Sequence, residues 1–182
     1  MTNYEEKYLK YKTKYQQLKN DLTPSFDSGS GNEKEKRHLA LCEILNFKGS
    51  NNFDLSIIRK IYDENVTIIM ADGKKIQGLE NHINEMRGMY EMAPDIKIIK
   101  HVVQFASGDW SAVSQLMQGT FSKPMKYFNN GKEEIIQPTN KKFSMEACSL
   151  ILWKNDKIIE ERIYWNDNYF KEQICGKTTS FC

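Results

Sequence analysis

The chain has 182 residues, 40% of them hydrophobic, and its 26 Lys and Arg against 24 Asp and Glu leave a formal net charge of +2. That length suits one domain with a sizeable core plus an arm, and the cancelling charge excludes a global field that would make nucleic acid or an anionic membrane the obligatory partner. No apolar run approaches the roughly 20 residues of a bilayer-spanning helix, and the polar start lacks the apolar core of a secretory signal, so a soluble intracellular chain with neither membrane nor nucleic acid as partner is expected.

Residues 1–22 place Tyr4, Tyr8, Tyr11, Tyr15, Leu18 and Leu22 at alternating steps of four and three, with lysines on the other faces. This heptad stripe predicts an amphipathic helix, a possible coiled coil through which the chain self-associates; tyrosine makes a poor seam, so a frayed, solvated arm is the other reading. Residues 23–32, rich in Pro, Gly and Ser, read as a flexible linker, residues 33–174 as the folded domain and 175–182 as a tail. Cys42, Cys148, Cys175 and Cys182 have no metal-site spacing and suit thiols in a reducing compartment, although Cys175 and Cys182, near the end, could oxidise in vitro.

Within the domain, "KEKRHLALCEILNF" and "NNFDLSIIRKIYDEN" carry helical periodicity, with Asn52 or Asp54 as cap and Leu55, Ile58, Ile61 and Tyr62 as the inner face of the second helix. "VTIIM" predicts a short strand, "ADGKK" a turn, and "GLENHINEMRGMYEMAP" a third helix stopped by Pro94. "DIKIIKHVVQFA" and "SAVSQLMQGTFS" should pair antiparallel across "SGDW", "KPMKYFNNGKEEIIQPTN" forms a long hairpin connection, and "KKFSMEACSLILW" and "IIEERIYW" pair across "KNDK". "NDNYFKEQI" predicts a closing helix capped by Asn166 or Asp167. The order implies an α+β layout, with three helices packed on one face of a curved antiparallel sheet.

Four stretches, "IYDENVTI", "GLENHINEMRGMYEMAPDIKI", "SGDWSAVSQLMQGTF" and "LILWKNDKIIEERIYWNDNYFKEQI", resemble in order and spacing the NTF2-like superfamily of cone-shaped domains and, within it, the SnoaL-like branch of polyketide and ester cyclases. The leader resembles the Lys/Tyr-rich leaders of many giant DNA virus proteins, which implies a host cytoplasm as compartment. The NTF2-like resemblance implies a sheet curled around a cavity, a homodimer through that sheet, and an acid/base pair on the last two strands. Counted from "KNDK", the pair's positions fall on Ser149 and Ile163. Ser149 is not basic at neutral pH and Ile163 cannot titrate, so the cyclase mechanism as the family runs it is not supported.

Strand alternation sets Met145, Ala147, Ser149 and Ile151 on one face and Ile159, Glu161, Ile163 and Trp165 on another, which the resemblance turns toward the cavity. Glu161 is then a candidate general acid or base, or a rim carboxylate that is solvated or paired. His101, alternating with Ile99, Val103 and Phe105, either enters the cavity as a proton carrier or packs as a neutral core histidine. Ser149, Ile163, Trp165, Tyr62, Met86, Tyr90 and Met117 are the candidate ligand-lining set. His38 and His82 lie on helices without ligand spacing, so neither metal nor cofactor is expected. Two functions remain open: binding of a small hydrophobic ligand in the cone, with or without catalysis, and a non-catalytic interaction or dimerisation module.

Overall fold

The computed structural model describes residues 32–129 and 132–176. The tyrosine stripe and virus-like leader, nearly all of the linker, and Cys182 with most of the tail therefore lie outside the described residues. Helix α1 (Glu33–Glu43) opens on a capping box, in which the Glu35 N–H donates to Asn32 Oδ1 and the Asn32 N–H returns the bond to Glu35 Oε2, both at 3.0 Å. It runs on into a π-helical turn, Ile44–Gly49, and a 3-10 turn, Ser50–Asn52, and the run ends where Phe53 takes a left-handed conformation at φ 48°. Helix α2 (Leu55–Ile61) is capped by Asp54, which accepts from the backbone of Ser56 and Ile57.

The remaining elements are β1 (Tyr62–Met70), β2 (Lys75–Gln77), α3 (Leu79–Met92), β3 (Lys97–Ser107), β4 (Trp110–Thr120), β5 (Met125–Asn129), β6 (Lys132–Ile136), β7 (Lys142–Lys154), β8 (Lys157–Trp165) and α4 (Asp167–Cys175). Asn166 caps α4 by accepting from the Tyr169 N–H at 2.9 Å. Six strands form one sheet in the order β2-β1-β8-β7-β4-β3, and β5 and β6 make a separate hairpin. The fold is α+β, as the periodicities imply.

One feature corrects the expectation of an antiparallel sheet. Strand β1 pairs with β8 in parallel, through Ile68↔Glu161 and Met70↔Ile163, so the sheet is mixed. A tight turn forces its two strands to run antiparallel, but β1 and β8 are separated by most of the domain and no turn chemistry fixes their relative direction. The stretch expected to be only a turn also continues into β2, which pairs with β1 through Ile68↔Ile76.

Irregularities in the ladders decide which side chains face inward. Between β7 and β8 the register steps from Leu152↔Glu160 to Trp153↔Ile158, leaving Ile159 as the extra residue. Ile158, not Ile159, is therefore the fully buried one. Strand β3 shifts register between Ile98 and Lys100 and again between His101 and Val103. As a result Ile99, Val103 and Phe105, expected to share an apolar face with His101, are exposed.

The interior divides into two clusters. One gathers Ile58, Ile61, Val66, Ile68, Ile76, Leu79 and Ile83 against Val113, Ile151, Trp153 and Ile158. The other gathers Met92, Ile96, Phe121, Ile136, Phe143, Met145, Phe170 and Ile174, so the β5–β6 hairpin and α4 close the second half. Beyond Ala147↔Trp165, strand β7 has no β8 partner, and the Ser144 N–H is taken instead by the side-chain oxygen of Gln173 at 2.8 Å.

Two outcomes follow from this packing. A Cβ on Gly119 would stand 2.8 Å from Phe143 Cζ and 3.2 Å from the Ile96 Cα, and Phe143 is itself wedged edge-on against Phe170 at 5.0 Å. Gly119→Ala should lower the unfolding free energy by about 1–3 kcal/mol, read from the urea midpoint. His38, 1% exposed, stacks on Trp153 at 4.8 Å and 8°, and its Nδ1 has no hydrogen-bond partner. Burial pushes the His38 imidazole below its ordinary pKa, so the unfolded chain takes up a proton that the folded one resists. Stability contributed by the neutral form is complete above about pH 6.5 and falls as the pH drops below it. Thermal midpoints should decline from neutral pH to about pH 5, and His38→Phe, which keeps the stacking and removes the orphan nitrogen, should flatten that decline.

Candidate functional site

Helix α2 passes directly into β1 at Tyr62, whose backbone turns extended at ψ 149°. This junction aims the Tyr62 ring inward, beneath the neighbouring strand. Glu161 sits on that strand between two isoleucines, Ile68 on the parallel side and Ile151 on the antiparallel side. Tyr62 Oη donates to Glu161 Oε2 at 2.5 Å. The third member is His82, from the first turn of α3, whose ring lies 5.1 Å from that of Tyr62 and is inclined by 58°. Glu161, His82 and Tyr62 are 6%, 5% and 4% exposed, so all three are withdrawn from water together.

The surroundings set the protonation of this group. Burial, reinforced by the Glu161 charge and hydrogen bond, holds the Tyr62 phenol well above its ordinary pKa, so it stays a donor. Burial pushes His82 down while the Glu161 charge pulls the other way, and the imidazole is neutral at pH 7. Behind them Cys42 contacts Ser111 Oγ at 3.8 Å, and Ser111 accepts from the Trp153 indole at 2.9 Å. Burial raises the Cys42 thiol to about 12, so it remains protonated and is not a nucleophile.

His101 belongs to a different network. Its Nε2 accepts from the Asn46 amide at 2.9 Å and its Nδ1 faces Gln104 Oε1 at 2.8 Å. Asn46 also donates to Gln115 Oε1 at 2.6 Å, and Phe47 packs on the His101 ring at 4.8 Å. Glu161 on β8 and His101 on β3 are three strand spacings apart, and the register carries Glu161 through Ile151 and Ser111 to Ala106, further along β3 from His101, so the two are roughly 20 Å apart over the sheet and no hydrogen bond links their networks among the described residues. The two candidate proton carriers do not form a pair.

Ser149 and Ile163 are direct cross-strand partners, and Ser149 is buried. The candidate lining residues divide between the two halves of the interior: Tyr62, Met86 and Ile163 join the first cluster, while Tyr90, Met117 and Trp165 join the second. Tyr90 donates to the Ser50 carbonyl at 2.6 Å. On the outer face, Glu160 accepts from Arg162 at 2.8 Å. A groove of about 410 Å³ lies away from Glu161, where Lys97, Thr120, Lys142, Ser144 and Gln173 meet.

Sequence reasoning set Tyr62 on the inner face of the second helix and among the lining residues, whereas the helix ends at Ile61 and Tyr62 opens β1; it gave His82 no role. A usable signal was present: Leu79, His82, Ile83 and Met86 recur at helical spacing, which sets a histidine on an otherwise apolar stripe. The partner it would meet could not be read, because the β1–β8 pairing that brings Glu161 there has no local signature.

Among the described residues, no helix is long and apolar enough to cross a membrane. No curated protein matches the chain in sequence. A protein of Jannaschia sp. CCS1, described as a candidate SnoaL-like polyketide cyclase, superposes with a TM-score of 0.70 at 15% identity, covering 83% of this chain and all of that one. AclR of Streptomyces galilaeus, described as a candidate hydroxylase, gives 0.65 at 17% identity over 80% of this chain and 89% of its own. IdmH of Streptomyces antibioticus, described as a candidate polyketide cyclase, gives 0.61 at 17% identity over 75% and 96%. At such identities these likenesses speak to the fold. The sequence profile of the SnoaL-like polyketide cyclases matches residues 43–174, and with a cone of that topology behind the match, the chain belongs to the SnoaL-like polyketide cyclase family.

Proposed function

We propose that the domain binds a small hydrophobic ligand in its cone and that Glu161, positioned by Tyr62, is the group that exchanges a proton with it. The observation that carries this reading is a carboxylate withdrawn from water among isoleucines and held by one phenol at 2.5 Å. A buried carboxylate in an apolar setting is costly as architecture alone, and such groups concentrate where proton transfer is needed. Tyr62 fixes one carboxylate oxygen and leaves the other for a reacting atom, and neutral His82 keeps a competing positive charge away. The cyclase positions themselves, Ser149 and Ile163, supply no proton carrier, so the chemistry is assigned to Glu161 one step along the strand. His101, three strands away, serves the ligand's opposite end in this reading. Because similar folds are described as polyketide cyclases, polyketide-like carbonyl compounds are the first ligand class to test.

The outer face of the sheet supports a homodimer. Val103, Phe105, Trp110 and Tyr164 are exposed there, and the register aligns Val103, Ser114, Cys148 and Tyr164 in one row across four strands. A second copy would remove this apolar surface from water.

Bound carbonyl compounds should raise the thermal midpoint, and Glu161→Gln should keep that stabilisation while abolishing any turnover. If no compound stabilises the protein and both Glu161→Gln and His101→Ala behave as wild type, the ligand reading fails. Tyr62→Phe should cost about 1–3 kcal/mol by stranding the carboxylate, and the double change Tyr62→Phe with Glu161→Met should recover much of it in urea unfolding. Sedimentation should give twice the chain mass for the wild type and a single-chain mass for Val103→Glu. A wild-type monomer would dispose of the dimer.

A further inference from the structure

The network around His101 is a one-way chain of donors and acceptors. It starts at Glu43, at the end of α1, whose carboxylate accepts from Gln104 Nε2 at 3.1 Å. An ionised carboxylate only accepts, so Gln104 must turn its amide nitrogen toward Glu43 and its oxygen toward His101. His101 Nδ1, 2.8 Å from that oxygen, must then carry a proton. In the neutral ring Nε2 is bare and has to accept, which fixes the Asn46 amide with its nitrogen toward His101, at 2.9 Å. The second hydrogen of that nitrogen goes to Gln115 Oε1 at 2.6 Å. Gln115 lies on the inner side of β4 between Val113 and Met117 and is buried. With its oxygen taken, the group Gln115 has left to offer is its N–H donor.

Protonating His101 leaves one other self-consistent setting. Nε2 then carries hydrogen and needs an acceptor, so Asn46 turns its oxygen toward the ring. Asn46 would now place oxygen against the Gln115 oxygen, and Gln115 must turn as well, offering its nitrogen to Asn46 and its carbonyl to the interior. Each step rotates a terminal amide and breaks no backbone bond.

The two elements that meet here are both irregular. Asn46 and Phe47 are on the π-helical turn, Ile44–Gly49, and His101 borders a register shift in β3. Such insertions re-aim side chains and recur at functional positions.

We infer that Gln115 is the specificity-determining residue of the cone wall, a hydrogen-bond donor to the ligand when His101 is neutral and an acceptor when His101 is charged. This rests on the ligand-binding reading above. Among the groups around His101, Glu43 is the carboxylate joined to it through Gln104. Strand β4 and the 3-10 turn bring no charged side chain. Lys48 is on the π-helical turn, and Lys97 on β3 is engaged with the Asn51 carbonyl. Lys100 points to the opposite sheet face, in register with Leu116.

The test uses the full chain, labelled with nitrogen-15, from about pH 8 to about pH 5. The ligand-free protein should show His101 with its proton on Nδ1 at the upper end, and the side-chain amides of Asn46 and Gln115 should shift with the same midpoint as the ring. Glu43→Gln, an exposed change that frees the anchor, should mix the tautomers and weaken that coupling. The probes are 2-acetylnaphthalene, an acceptor, and 2-naphthol, a donor. Their Kd ratio should move about tenfold in favour of 2-naphthol as His101 protonates, and Gln115→Met should abolish the movement. Amides indifferent to His101, a high-pH proton on Nε2, or a constant Kd ratio would overturn the inference. Amides that turn while neither probe binds would remove Gln115's role by bringing down the ligand reading, and the relay would stand.

Discussion

The interior of this domain is organised around one hydrogen bond, from Tyr62 to Glu161. A carboxylate on the apolar face of a sheet needs a donor that reaches it without opening the core to water. Three things must agree for that donor to arrive: α2 has to end one residue before β1, β1 has to join β8 in parallel, and the register has to set Glu161 beside Ile68. The bulge at Ile159 serves the same end. It sends Ile158 inward, in register with Tyr62, where it is fully buried beside the pair.

The two polar centres of the cone are built on opposite principles. Around Glu161 the neighbours are withdrawn from water, and burial holds the Tyr62 phenol above its ordinary pKa and the His82 imidazole below its own. Around His101 the partners are amides, which can reverse donor and acceptor by a rotation, and the ring is only half-buried. Apolar side chains of the two core clusters fill the distance between the two centres.

Much of the fold was legible because its signals are local. The 3.6-residue periodicity of Leu79, Ile83 and Met86, the caps at Asp54 and Asn166, and the turn at "KNDK" each act over a few residues, and each element appears where those signals place it. The order of helices and strands then carried the α+β layout. The parallel β1–β8 pairing and the bulges were not legible, since they depend on how distant strands settle against one another. That is why Glu161 could be picked from alternation within its own strand, whereas its partners Tyr62 and His82 could not. The neighbours of His101 were illegible for the same reason: two register shifts in β3 break the alternation that would have set it beside Ile99 and Val103.

The parallel pairing also bears on the order in which the molecule is made. Tyr62 and Glu161 are 99 residues apart, and β8 follows every other strand of the sheet. The meander from β3 to β7 has partners close in sequence and can form early, whereas β1 and β2 have no central neighbour until β8 arrives. During synthesis the first strands wait with an unpaired edge while the chain that completes them is still being added. The polar pair at the centre therefore cannot close until the last strand of the sheet has been made.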